Sequence, residues 1–293
     1  MFKRKTTEDI ILDPIICLFL IAILFITIYP FYYVLIISFN QGIDASLGGI
    51  YWFSRKFTLE NYKDFFTDDK WVSGLVVSIL TTVAGTAVGV FFTTLVSYGM
   101  SFKDLAFRKF YMALIIISMY FSGGIIPYYM LLRSLHLLNS FWVYVVPGAL
   151  NTFFLIIGIS FFSGIPASLR ESARMDGANE LTIFAKIILP ISKPFVATLV
   201  LFNGVGHWND WFTSAFFVRN KNLRTLSYLM MEIINRNMQS IASSSGVAVQ
   251  NTAKTSLSIQ MAAMIISVAP IICIYPFLQK YFVKGIMLGS VKE

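Results

Sequence analysis

Six long apolar stretches, nearly free of charge, dominate this 293-residue sequence and decide what it can fold into. A helix that crosses a bilayer needs about 20 mostly apolar residues. Residues 14–43 and 71–102 carry no charge at all, and 110–132 form a third uncharged run. The pattern predicts an all-α polytopic membrane protein with six spans, near 15–39, 72–100, 107–127, 141–162, 195–218 and 259–282. Only the fifth holds an acid, Asp210. Composition agrees: 57% of residues are hydrophobic and 13% charged, with mean hydropathy +0.72, where soluble domains are about one quarter charged.

The first run comes after Lys3, Arg4 and Lys5, as a signal peptide's would. It is too long for a signal core and lacks a small-residue cleavage site, so it reads as a retained helix. The net charge is +8, but the basic residues cluster at the ends of apolar runs. That is the placement of headgroup contacts and topology signals, not of a nucleic-acid surface. With the N-terminus inside, the inner segments hold thirteen Lys and Arg and the longer outer ones ten. Both termini are therefore expected on the cytoplasmic side. Two cysteines, Cys17 and Cys273, and two histidines exclude a disulfide framework and a His-rich metal site. Everything outside the spans is short, so one transmembrane domain is expected over 1–293.

Three connections are long: 40–70 and 219–258 outside, and 164–194 inside. The inner one has helix punctuation. Pro166 suits a first turn, and residues 167–175 contain no breaker. Asp176-Gly177 reads as a stop and turn, and Asn179 can cap a second helix running to Leu189. Pro190 and Pro194 then end that helix and open the fifth span. Leu181, Phe184, Ile187 and Ile188 form its apolar stripe, while Glu171, Arg174 and Asp176 are displayed on the first helix. A projection gripped by a partner protein and a plain amphipathic helix lying on the bilayer both satisfy this pattern.

The series Glu171-Ser-Ala-Arg-Met-Asp-Gly-Ala, followed by Phe184, Ile187 and Leu189-Pro190, resembles the EAA loop of ABC importer permeases, approximately E-A-A-x-x-D-G-A and then I-x-L-P. Ser172 stands where that pattern has Ala. The tail from Gln279 to Lys292 and the pair Trp208-Asn209 resemble the carbohydrate branch, near its maltose-type second permease. The resemblance implies the six-span type I importer fold, a second permease subunit, two cytoplasmic ATPase subunits and an extracytoplasmic solute-binding protein, in the bacterial cytoplasmic membrane. It also implies that 164–194 is a coupling loop. Glu171 would then pair with a basic group in the ATPase cleft, Ser172 and Ala173 would allow close approach, Asp176 would brace the turn, and Gly177 would permit it. The chain has no GxxxxGK[ST] phosphate loop. It is therefore expected to bind no cofactor of its own, with ATP and Mg held by the partner ATPase, and not to be an enzyme.

Polar residues inside the spans are candidates for a translocation path: Asn151, Asn203, His207, Asn209 and Asp210. A buried carboxylate is costly, so Asp210 must face protein or water. A cargo path, an interhelical network and an interfacial position beside Trp208 and Trp211 all meet that need. Thr81, Thr82, Thr86, Thr93 and Thr94 are expected to bond back to helix carbonyls. Ser122-Gly123-Gly124 reads as packing or a kink. The polar run 243–252 is flexible enough to reach a solute-binding protein, and the tail 284–293 to touch the ATPases. The second outer loop carries five Lys or Arg against Glu232, which hints at an acidic oligosaccharide such as a uronate. An ion-gradient transporter is the alternative. It would call for paired buried charges or repeated halves, and only Asp210 is at hand.

Overall fold

The computed structural model describes residues 7–242, 257–274 and 276, and these are helical apart from turns and one isolated bridge between Asn40 and Phe57. Three helices are individually long and apolar enough to cross a membrane: Leu12–Ser38, Asp69–Ser101 and Leu257–Ile274. Three bent helix pairs raise the number to as many as six. The protein is an all-α polytopic membrane protein.

The chain divides into two compact units. The first comprises Met1–Asp68 and Ile233–Val268. Its leading helix α1 (Thr7–Ser38) is apolar on every face, and its side chains from Leu12 to Ile28 are all exposed. A rod of that kind belongs in an apolar solvent. At its end, Ile36 and Ile37 meet Ala45, Ile50 and Met261. The segment beyond it is tightly folded around α2 (Gly42–Ser46) and α3 (Glu60–Thr67). Buried Asn40 donates to Asp44 Oδ2 at 2.9 Å and accepts from Ser54 Oγ and the Lys56 amide. Arg55 donates to Asp44 Oδ2 at 3.1 Å and to the carbonyls of Asp44 and Gly48. Asn61 donates to the carbonyls of Ser38 and Asn40. The Asn40 amide does most to hold the Asp44 carboxyl below its ordinary range; burial opposes it, and the Arg55 guanidinium, by hydrogen bond and by charge, lowers it further. Below this network, Trp52 packs on Phe25 and Tyr29, and Tyr32 donates to the Trp52 carbonyl at 2.7 Å.

The second unit is built on α4 (Asp69–Ser101), against which α7 (Thr152–Ser163) and α11 (Lys193–Trp208) pack. Small residues allow close approach: the Ser97 side chain occupies the space beside Gly158 and donates to the Leu155 carbonyl, while Asn203 lies against Gly89.

Three expected spans are corrected here. The third is α5 (Arg108–Tyr120) and α6 (Ile125–Ser134), bent by 119°. The break falls at the Gly123-Gly124 kink, where Gly124 takes φ +82°, and Pro127 lies in the first turn of α6. The fourth begins as a helix only at Thr152. Residues 141–143 form a single 3-10 turn, and Pro147-Gly148 lies in the non-helical stretch between that turn and Thr152. The fifth stops at Trp208, and a separate short helix α12 (Phe212–Phe217) comes after a turn. The first two expected spans correspond to the apolar helices Leu12–Ser38 and Asp69–Ser101, within about three residues at each end. The connection 219–258 also departs from a plain connector, because α13 (Leu226–Ala242) occupies much of it. The polar run from 243 and the tail from 279 lie outside the described residues, and the sixth expected span is described through α14 (Leu257–Ile274).

Candidate functional site

The connection 164–194 folds as its punctuation dictates. Helix α8 (Ala167–Met175) begins after Pro166 and turns sharply from α7, by 71°. It ends at Asp176, and Gly177 follows at φ +82°. That left-handed conformation costs an L-residue with a Cβ roughly 1–2 kcal/mol, which is why the turn holds glycine. The Ala178 amide then closes onto the Ala173 carbonyl at 3.0 Å. Asn179 caps α9 (Glu180–Ile183), its side chain accepting from the Thr182 amide at 2.8 Å. The helix continues through a π-turn at Phe184–Ile188 into α10 (Leu189–Ile191). Pro190 accounts for the widening: it has no N–H to give Lys186, and its ring crowds that carbonyl. A bend of 83° then opens α11, with Pro194 in its first turn.

One side of this knob is core and the other is open. Ala173, Ile183, Phe184 and Ile188 pack with Tyr98, Phe162, Phe195 and Leu199. The expected inward stripe is corrected at one position: Leu181 is 69% exposed, and Ile183 is the buried residue. Ala173 is only 7% exposed, so its small side chain serves close packing within the chain. Glu171, Ser172, Asp176 and Gly177 lie on the open side with Met175, which is 88% exposed. Arg174 is not free for a partner, because its Nε donates to Glu180 Oε1 at 2.6 Å. The other oxygen of Glu180 accepts from Tyr98 Oη at 3.1 Å, and Arg170 stacks over the Phe102 ring at 4.2 Å. Sequence reasoning missed Glu180 and Tyr98; they are 82 positions apart, and no local pattern pairs them.

Each of the five path candidates has a local contact. Asn151 caps α7, accepting from the amides of Phe153 and Phe154. Asn203 and Asn209 donate to the carbonyls four residues back, Leu199 and Val205. Asp210 sits in the turn beyond α11, not within a helix, and its Oδ1 accepts from the Thr213 amide at 3.0 Å. His207 and Asp210 therefore share no helix face; the His207 ring packs between Gly85 and Gly148. Thr81 and Thr94 bond back to carbonyls as expected. Thr82, Thr86 and Thr93 do not, and their buried hydroxyls have no partner among the described residues. Thr82 and Thr86 line a cavity of about 340 Å³ with Gly204, Trp208, Pro270 and Ile274, and its walls are otherwise apolar. None of the five path candidates lines it. Among the described residues, no group of three or more His, Cys, Asp or Glu is placed to hold a metal.

No family model matches the chain. It is 37% identical to protein LplC of Bacillus subtilis (strain 168) over 289 residues, 99% of this chain and 97% of that one. It is 38% identical to the polygalacturonan/rhamnogalacturonan transport system permease protein YtcP of the same organism, over 96% of this chain and 98% of that one. Among solved structures, it is similar to a chain in the crystal structure of a bacterial ABC transporter involved in the import of the acidic polysaccharide alginate. The TM-score is 0.83 at 25% identity, covering 96% of this chain and 100% of that one. With an exposed, charged helical knob between its membrane helices and relatives matched along nearly its whole length, the chain belongs to the permease subunits of ABC importers, in their carbohydrate-transport branch.

Proposed function

We propose that this chain is one of two permease subunits in an ATP-driven importer of an acidic oligosaccharide, handed over by an extracytoplasmic solute-binding protein. It lies in the bacterial cytoplasmic membrane with six spans and both termini inside. Helix α8 docks in a cleft of one of two cytoplasmic ATPase subunits, which hold the ATP and Mg. Closure of the ATPase dimer displaces that cleft, and the docked helix passes the displacement to the spans as a rigid-body switch between two states.

The observation that carries the docking reading is the two-sided knob. One side is anchored in the core through Ala173, Phe184 and Ile188. The other presents Glu171, a carboxylate with no bonded partner among the described residues, beside exposed Met175. A rigid apolar seat under an unpaired charge is what a force-bearing contact needs. Gly177 holds the turn that presents it.

The acidic cargo is supported by the polygalacturonan/rhamnogalacturonan named for one relative and the alginate named for a structural neighbour. The excess of Lys and Arg in 219–258 points the same way. A thermal-shift screen of the cognate solute-binding protein tests it. Oligogalacturonates or other uronate oligomers raise its Tm and neutral maltodextrins do not. The opposite ranking rejects the acidic reading and leaves the permease assignment standing.

A further inference from the structure

The knob is covalently continuous with α7 through residues 164–166 and with α11 through 192, but not with α4. Yet α4 is the helix that both of the others pack against. Glu180 bridges that gap. Its two carboxylate oxygens are divided between the coupling helix and α4: Oε1 takes Arg174 Nε, and Oε2 takes Tyr98 Oη. Around this tie, the Tyr98 ring contacts Phe184, Phe162 and Phe102 at centroid distances of 5.2, 6.0 and 4.8 Å, and Arg170 of α8 covers Phe102.

We infer that Glu180 is a positioning residue, the joint that makes α8 and α4 move as one body when the ATPases close. The inference rests on the docking reading and names the route by which force leaves the knob. The side chains of Arg174 and Glu180 are 52% and 40% exposed, and ion pairs at such exposure contribute little to folding. Removing the joint therefore leaves the protein folded and assembled while the knob slips against α4. Tyr98→Phe isolates this effect, because it deletes one hydroxyl and keeps the ring in its core.

The test uses the whole permease–ATPase complex in lipid, with Cys17 and Cys273 replaced by serine and spin labels at Leu169→Cys on α8, which is 40% exposed and off the Glu171–Met175 face, and Ile79→Cys on α4. The interlabel distance is read with and without ADP–vanadate trapping, so no cargo is needed. In the otherwise wild-type complex, the distance stays constant on trapping. In Tyr98→Phe and in Glu180→Ala it shifts by about 2 Å or more, the scale of helix shifts at switching interfaces. The double variant shifts no further than either single one. A distance that changes without these substitutions, or stays constant with them, overturns the joint. So does loss of ATPase capture by the variants, which would mean that Glu180 only folds the knob. Failure of docking itself is seen separately: Glu171→Ala would then hold the ATPase as tightly as wild type.

Discussion

The imidazole of His207 occupies the space that a side chain on Gly85 would need: a Cβ built there lies 2.5 Å from both Cε1 and Nε2 of the ring. The same ring also lies against Gly148, its Cε1 3.2 Å from where a Cβ would be. Gly85→Ala therefore overpacks the contact between α4 and α11 and destabilises the protein by roughly 1–3 kcal/mol. Gly206→Ala, with nothing within 4 Å, is the control without effect. Thermal melting of the detergent-solubilised protein reads both, and His207→Ala restores stability to the Gly85 variant.

Gly177 is constrained by its backbone alone. Its Cβ position is empty to 4 Å, but φ is +82°. Gly177→Ala costs about 1–2 kcal/mol through that dihedral, and Gly177→Asn costs less, since Asn tolerates the left-handed region. Gly177→Pro cannot adopt it at all and re-aims α8. The expected order of ATPase capture in co-purification is wild type, Asn, Ala, Pro.

Asn151 and Asp210 separate a capping role from a cargo role. Asn151→Ala removes a cap worth about 1 kcal/mol and Asn151→Ser retains one. Asp210→Asn keeps an acceptor for the Thr213 amide while discarding the charge. Uptake in proteoliposomes is expected to be unchanged in Asn151→Ser and Asp210→Asn. A selective loss of uptake in Asp210→Asn, with Tm intact, would assign its charge to the cargo path instead.

Asp44 gives the segment beyond α1 a pH dependence. Its folded pKa lies below the ordinary carboxylate value. The unfolded segment therefore takes up a proton first as pH falls. The stabilisation is complete above about pH 4 and is lost as pH falls through the lower, folded value. Proteolytic nicking between residues 47 and 57 should rise on acidification below about pH 4. Asp44→Asn should be nicked more at neutral pH and depend less on pH.

The membrane class was legible because bilayer crossing demands long apolar runs, and the knob because Pro166, Asp176-Gly177 and Asn179 are local cap and turn chemistry. Helix ends inside apolar runs were not: Trp208 ends α11 without changing the hydropathy, so Asp210 read as a helix residue, whereas it lies in the turn beyond and accepts from the Thr213 amide. Pro147-Gly148 broke a span whose composition alone looked continuous. The Glu180–Tyr98 tie, and the lack of a partner for the Thr82 and Thr86 hydroxyls among the described residues, depend on which helices meet, and that information is tertiary.

The central claim, that Glu171 and its helix grip a separate ATPase, is tested most directly by the affinity of the purified permease for that ATPase, wild type against Glu171→Ala. Losing a charge pair buried at an interface costs at least about 2 kcal/mol, so binding should weaken roughly thirty-fold or more, with expression and Tm unchanged. Equal affinity in the two proteins would contradict the account.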